Sequence, residues 1–320
     1  MPSLVPIDAA VLDQMAAADA RGQAGLTPRA FAQFTRALTR TTWGQAHLRP
    51  VALVDEAAQL LASALLYRLP AVVDGHPLTI CTVGDVIAYG DTAAHAASLI
   101  ARVTEEVATW CPGASIIATI AAEGAAVPDG FHVVATTEST LVVTESTRRG
   151  APMAPVRSGE HDDLPFLVDV PRLGAPAPRF CIARDVDFMA FTLTRKRLLA
   201  GLAASGSRQL WFLVVEEGMR AAAYVVISAT EGRWMIESCG DRDPTGARIG
   251  AILQMLIARE PAEHRPVISA WLPPGFLPPQ VTVASTGPSP VRLCVRALAH
   301  APALDTWPAD EVAYWHGDLV

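Results

Sequence analysis

Apolar positions in the first third of the chain fall in short runs of Val, Leu and Ile broken by turn signals, which predicts strands. Residues 51–54 and 61–69 predict two strands around a turn. Asp74-Gly75 is a hairpin signal between 71–73 and 78–83, and Gly84-Asp85-Val86-Ile87-Ala88 continue the second of these strands. From Thr92 to Trp110 the period becomes helical. Leu99, Ile100, Val103, Val107 and Trp110 make one stripe, and Pro112-Gly113 stops it. Residues 115–120 return to a β-branched strand, and Gly130-Phe131 lead into a strand pair around 132–144. Upstream, Thr27-Pro28 open a helix through Phe31, Phe34 and Leu38, a threonine cap with proline in the first helical position.

The second half repeats this order. Residues 210–215 and 223–227 predict strands flanking a Glu216-Glu217-Gly218 turn, and 234–239 the next strand, followed by Gly240-Asp241. Asp243-Pro244 predict the start of a helix whose stripe is Ile249, Ile252, Leu253, Leu256 and Ile257, with Pro261 just past its end. A strand at 267–271, Gly275-Phe276, and strands at 281–284 and 291–298 complete the repeat. The shared pattern is strand, Gly-Asp, helix, strand, Gly-Phe, strand pair: an α/β unit occurring twice. Between the halves, residues 148–180 carry six prolines and no helical period, which predicts a connector.

Composition narrows the classes. A length of 320 residues fits about two domains. The net charge is −7, and no basic stripe carries interleaved aromatics, so nucleic acid is not an expected partner. No apolar stretch approaches the roughly 20 residues of a membrane span. The N-terminus lacks signal-peptide character. The expectation is a cytoplasmic protein with no membrane contact, and an oligomer is compatible with the sequence. The five cysteines are widely spaced without Cys-x-x-Cys, and the eight histidines are dispersed, so core thiols are expected rather than disulfides or a metal site. Lys196 is the sole lysine, and asparagine is absent.

The repeated order resembles the GNAT acetyltransferase superfamily, specifically its bacterial tandem members, a group that includes enzymes related to yeast lysine acetyltransferases. Residues 64–86 resemble the stretch that leads into the central strand of such proteins, and Trp43-Gly44 is similar to their N-terminal region. Residues 240–250 and 313–320 resemble the C-terminal domain. The resemblance implies an α/β fold with mixed sheets, as two GNAT-like domains in tandem. An N-terminal domain would span 1–147, the proline-rich linker 148–180, and a C-terminal domain with a docking tail 181–320. It also implies acetyl-CoA as co-substrate and direct transfer of the acetyl group to a primary amine, without a covalent enzyme intermediate. The partner would be a small-molecule amine or another basic substrate, which suits the acidic net charge.

The family's pyrophosphate loop, R/Q-x-x-G-x-G/A, relies on glycines for close backbone approach and on free N–H groups at a helix N-terminus. The matching stretch is Tyr89-Gly90-Asp91-Thr92-Ala93-Ala94. Ala94 keeps the last small position, Thr92 replaces a glycine, Tyr89 replaces the arginine or glutamine, and Asp91 or Thr92 would also serve as an N-cap. In the second half the match is Asp243 to Arg248. Arg248 replaces a small residue there, and would either reach a phosphate or fill the cleft. By the resemblance, the donor is held by Val86, Ile87 and Ala88 of the central strand and by Thr92, Ala93, Ala94, His95 and Ala96 of the helix start. Asp85 and Glu123, carboxylates at strand ends, are the candidate bases. The family's tyrosine acid, shortly before Gly-Phe, is missing from 121–131, and His95 or His132 would have to substitute. These departures leave an alternative open, a catalytically inactive GNAT-fold binding or scaffold protein. The terminal Trp315-His316-Gly317-Asp318 would either reach the first domain's cleft or dock as an ordered tail.

Overall fold

The computed structural model describes residues 2–18, 26–90, 92–122, 124–134, 136–144, 155–170, 178–204, 206–298, 301, 307–308, 311–313 and 315–318. The first half comprises β1 (Ser3–Pro6), α1 (Ala9–Ala17), α2 (Pro28–Leu38), α3 (Thr42–His47), β2 (Leu48–Val54), β3 (Leu60–Val73) and β4 (His76–Ala88). It continues with α4 (Thr92–Glu105), α5 (Val107–Trp110), β5 (Ile116–Ala122), β6 (His132–Val134) and β7 (Thr137–Val143). The second half begins with β8 (Val156–Ser158), α6 (Leu164–Asp169), β9 (Phe180–Ile182), α7 (Val186–Leu202), β10 (Arg208–Glu217), β11 (Arg220–Thr230) and β12 (Arg233–Asp241). It ends with α8 (Ala247–Ile257), β13 (Val267–Ala270), β14 (Val281–Pro288) and β15 (Val291–Ala297).

Local chemistry explains most boundaries. Thr27 caps α2 by accepting from the Ala30 N–H, with Pro28 in the first turn. The β3–β4 hairpin turns at Asp74 and Gly75, both at positive φ, as the Asp-Gly pair demands. The expected second helix starts later than its Asp-Pro signal. The Asp243 carboxylate instead accepts from the Thr245 N–H in a local turn. The first cap position of α8 is Gly246, at φ 68. A Cβ there would lie 2.7 Å from the Phe276 ring, so glycine is required twice over.

Two mixed sheets form the frame. The first runs β1-β2-β3-β4-β5-β15-β6, with β9 also paired to β3, and the second runs β14-β7-β13-β12-β11-β10-β8. Each sheet contains one parallel ladder, β4 with β5 and β12 with β13. The closing strand pairs expected from the sequence exist as strands but not as hairpins. β7 leaves the first half and lies between β13 and β14. In return, β15 lies between β5 and β6. The two crossings touch where the Ser289 N–H donates to the Thr136 carbonyl at 3.0 Å. Leu141 of β7 thereby enters the second core, and Leu293 and Val295 of β15 enter the first.

The 148–180 stretch carries structure of its own. β8 pairs with β10, and α6 packs through Leu164 and Leu167 in a core with Tyr224 and Val226. Arg157 of β8 grips Asp163 with two hydrogen bonds, at 2.7 and 2.8 Å. The long helix α7 was not signalled by periodicity. Phe188, Phe191 and Leu199 join the first core, while Met189 and Leu193 join the second half's core. A helix buried on several sides has no single apolar stripe to read. Among the described residues no helix is long and apolar enough to cross a membrane. Nor does any group of His, Cys, Asp or Glu among them have the placement to hold a metal ion.

Candidate functional site: two strand openings

The parallel ladder of the first sheet stops early. It runs from Ile80–Ile116 to Val83–Thr119, and the Thr119 hydroxyl donates to the Val83 carbonyl at 3.0 Å at its last rung. Beyond that rung β4 continues to Ala88 and β5 to Ala122 with no ladder between them. A bulge on the other edge of β4 coincides with the opening. Leu65 pairs with Gly84 and Ser63 with Ile87, so Asp85 and Val86 share the place opposite Ala64. The extra residue bends the strand away from its neighbour. Asp85 adopts φ 49, a left-handed conformation that aspartate tolerates better than most side chains.

The strand leads directly to a helix N-terminus. Gly90 at φ 73 makes the turn, and α4 follows with Ala93 and Ala94 exposed. The first turn of a helix has unpaired N–H groups and the positive end of the macrodipole. Val86 and Ala88 are half-buried and Ile87 is buried; His95 and Ala96 are half-buried. His95 Nδ1 lies 2.6 Å from the Tyr89 carbonyl, which fixes the strand-to-helix turn. Asp91, the side chain of Thr92 and the whole of Glu123 lie outside the described residues. The donor residues carried over from the family thus flank one opening, as strand edge and helix start.

Asp85 is not a free carboxylate. Tyr67 donates to it at 2.5 Å, and Arg195 Nη2 donates to both its oxygens at 2.8 and 3.0 Å. The Arg195 and Asp85 side chains are 9% and 7% exposed. Burial, and then the neighbouring Asp85 charge, push the Tyr67 hydroxyl well above its ordinary value. Sequence reading missed both partners. The available signal was the basic run Arg195-Lys196-Arg197 within a largely apolar stretch, a placement that calls for acids near those of its side chains that are buried.

The second half has the same construction with different contents. Its parallel ladder stops at Ile236–Ala270, and a bulge at Glu237 follows, since Val226 pairs with Ser238 and Ile227 with Ile236. Lys196 Nζ, next in sequence to Arg195, donates to Glu237 at 2.9 Å. One helix therefore neutralises the bulge acid of each sheet. One N–H at the start of the helix here is already taken by a carboxylate. Asp241, fully buried, accepts from the N–H groups of Asp243 and Arg248 and from Arg248 Nη1. The Arg248 guanidinium also reaches Glu217. Asp241 and the Arg248 guanidinium thus occupy the space at the start of α8. The chain's own tail enters the opening. Gly317 abuts the Glu237 backbone, Trp315 packs on Trp271 at 4.9 Å, and Asp318 pairs with Arg184 at 2.8 Å. Trp315 and Asp318 thus dock in the second half, whereas Trp307 and Val312, just before them, join the first core.

The remaining candidates have structural surroundings. The Tyr89 hydroxyl meets Ser63 and the Tyr224 hydroxyl meets Ser238, and burial raises both. His132 is exposed on β6. All five cysteines are free, and four are buried.

No protein-family model matches the sequence, and no curated protein matches it. Solved structures do resemble it. A probable N-acyltransferase from Enterococcus faecalis V583 is 12% identical with a TM-score of 0.58, covering 93% of this chain and 72% of that one. A GCN5-related N-acetyltransferase from Kribbella flavida is 14% identical with a TM-score of 0.56, covering 93% and 71%. Saccharomyces cerevisiae N-myristoyltransferase with bound myristoyl-CoA is 11% identical with a TM-score of 0.54, covering 92% and 82%. At such identities the likeness is one of fold, and by fold this chain is a mixed α/β protein of two GNAT-like halves.

Proposed function

We propose that the protein is an acyl-CoA-dependent N-acyltransferase whose first half transfers an acetyl group from acetyl-CoA directly to a primary amine. One observation carries this reading. The opening between β4 and β5 ends on the exposed start of α4, whereas the matching site in the second half is filled by Asp241, Arg248 and the tail. In the first half the edge of β4 from Gly84 to Ala88 has no strand partner on the β5 side. Its N–H groups can take the pantetheine amides and polarise the thioester carbonyl. The first turn of α4 receives the pyrophosphate, with Ala93 and Ala94 allowing close approach. Bound acetyl-CoA would supply the activated acyl group.

The proton of the attacking amine needs an acceptor. Asp85 is committed to Arg195 and Tyr67, so its role is to hold the bulge that keeps the strands apart. Glu123, the residue after β5, is assigned as the base. The acceptor is a small, basic amine.

A binding or scaffold role has one observation in its favour, namely that Asp85 and the hydroxyls of Tyr67 and Tyr89 are all engaged in buried hydrogen bonds. Calorimetry with acetyl-CoA separates the readings. No binding at millimolar ligand overturns the enzyme. Binding with no acetylation of a panel of primary amines, and no effect of Glu123→Gln on slow acetyl-CoA hydrolysis, establishes the scaffold.

A further inference from the structure

Two cysteines meet at the start of the β4–β5 ladder. Cys81 lies on β4, and Cys111 follows α5, its N–H donating to the Val107 carbonyl at 2.7 Å. After the Pro112-Gly113 turn the chain returns to the sheet. There the Ser115 N–H donates to the Thr79 carbonyl at 2.9 Å, and Cys81 pairs with Ile117. Both cysteines belong to the same core cluster, and their thiols are hydrogen-bonded to each other. Arg68 stands directly opposite Cys81 on β3, and Arg49 of β2 stands opposite Leu66. The two-residue period of a strand puts both arginines on the face that carries Cys81, and both are exposed.

The pair is asymmetric. The hydrogen bond from Cys81 holds the Cys111 thiol below its ordinary value, and the Arg68 and Arg49 charges act in the same direction against burial. The same hydrogen bond, and then burial, push Cys81 well above its own. Cys111 is therefore the nucleophile, and Cys81 the thiol that resolves it. Cys81 is fully buried and Cys111 is 3% exposed, next to the exposed Pro112 and Gly113. Only an oxidant close to water in size reaches such a site. The other cysteines are placed apart from the pair. The Cys294 thiol faces the Arg292 carbonyl at 4.0 Å, and Cys181 and Cys239 pack in the second core.

We propose that Cys81 and Cys111 are a redox site, which a small peroxide oxidises to a reversible disulfide. The Cys111 thiolate, its proton given to water, attacks one peroxide oxygen, and the O–O bond breaks. Cys111 becomes a sulfenic acid, and the departing hydroxide takes a proton back to become water. The Cys81 sulfur then attacks the Cys111 sulfur. The S–S bond forms, and the sulfenic hydroxyl leaves with the Cys81 proton as a second water. The two thiols lose the electron pair that the peroxide gains, and exchange with an added dithiol restores them. The bond would close residues 81–111, the stretch that holds the β4 bulge and α4. The chemistry does not depend on how the first opening works.

The test exposes the folded full chain to hydrogen peroxide, removes the excess with catalase, and blocks the remaining thiols with N-ethylmaleimide in urea. Trypsin cleaves at Arg102, between the two cysteines, so a link shows as a joined pair of peptides. The wild type should lose two of its five thiols, yield that joined pair, and regain both thiols in dithiothreitol. Cys81→Ser should stop at a sulfenic acid on Cys111, trapped by dimedone, and Cys111→Ser should leave Cys81 a thiol. Where a serine variant does not fold, the wild-type peptide map decides alone. Survival of all five thiols overturns the proposal. So does a link to Cys181, Cys239 or Cys294, oxidation of Cys111 beyond the sulfenic acid without a link, or a link that forms only when the peroxide is added in urea.

Discussion

The two halves share a frame and differ in how they satisfy it. Both sheets end their parallel ladder at a bulge, and both bulges carry an acid bound by α7. In the second half Asp241 accepts from the Arg248 N–H at the start of α8 and the tail occupies the strand opening. In the first half the corresponding helix start is exposed at Ala93 and Ala94. The edge of β4 beyond Val83 has no strand partner on the β5 side, and a protein keeps unpaired backbone groups on a surface only where water or a ligand supplies partners.

The strongest way to break this comparison is through α7. Arg195→Met leaves Asp85 buried without its cation and is expected to cost about 3–5 kcal/mol in urea unfolding. Lys196→Met, whose side chain is 16% exposed, should cost less, about 1–3 kcal/mol. Equal costs would mean the two bulges are not held differently. Next in size, Asp241→Asn removes the charge that satisfies α8. It should destabilise by about 2–3 kcal/mol and leave acetyl-CoA binding unchanged. Loss of binding would move the donor site to the second half.

A smaller effect sharpens the contrast at the helix starts. Ala94→Glu puts a like charge where the proposed function would seat the pyrophosphate, and should weaken acetyl-CoA binding about tenfold with stability within about 0.5 kcal/mol. Thr245→Glu, exposed ahead of α8, should do nothing to binding.

The smallest effect concerns the link between the halves. The Arg157 hydrogen bonds hold the Asp163 carboxyl below its ordinary value. A lowered carboxyl stabilises the fold above the unfolded value near pH 4, and that contribution fades as pH falls through the lowered one. Arg157→Gln should therefore flatten the loss of stability between about pH 4 and pH 2. An unchanged acid limb would show that β8 and the turn at Asp163 are not tied together.

Local signals were legible where one residue type settles a local geometry. Thr27-Pro28, Asp74-Gly75 and the stripe through Leu99 and Val103 announce their elements without help from the rest of the chain. The Asp243-Pro244 signal misled by three residues, because an aspartate side chain can close a turn as readily as cap a helix. Neither α7 nor the pairing of Asp85 with Arg195, 110 residues away in sequence, has a local signature. Burial of α7 between two cores removes its amphipathic period, and only the packing brings Arg195 and Lys196 to the two bulges.

By itself the sequence determined that one α/β order occurs twice, because alternation, helical period and turn residues act over a few positions. Tertiary structure alone decided that β7 and β15 change sheets, since strand partners are chosen by which core accepts Leu141, Leu293 and Val295. It decided that Asp85 is a buried ion-pair partner and not a free base, and that Asp241 and the tail close one opening while the other stays open. Those outcomes depend on distances between remote segments and on the cost of leaving buried charges and backbone groups unpaired, quantities that no local window of sequence contains.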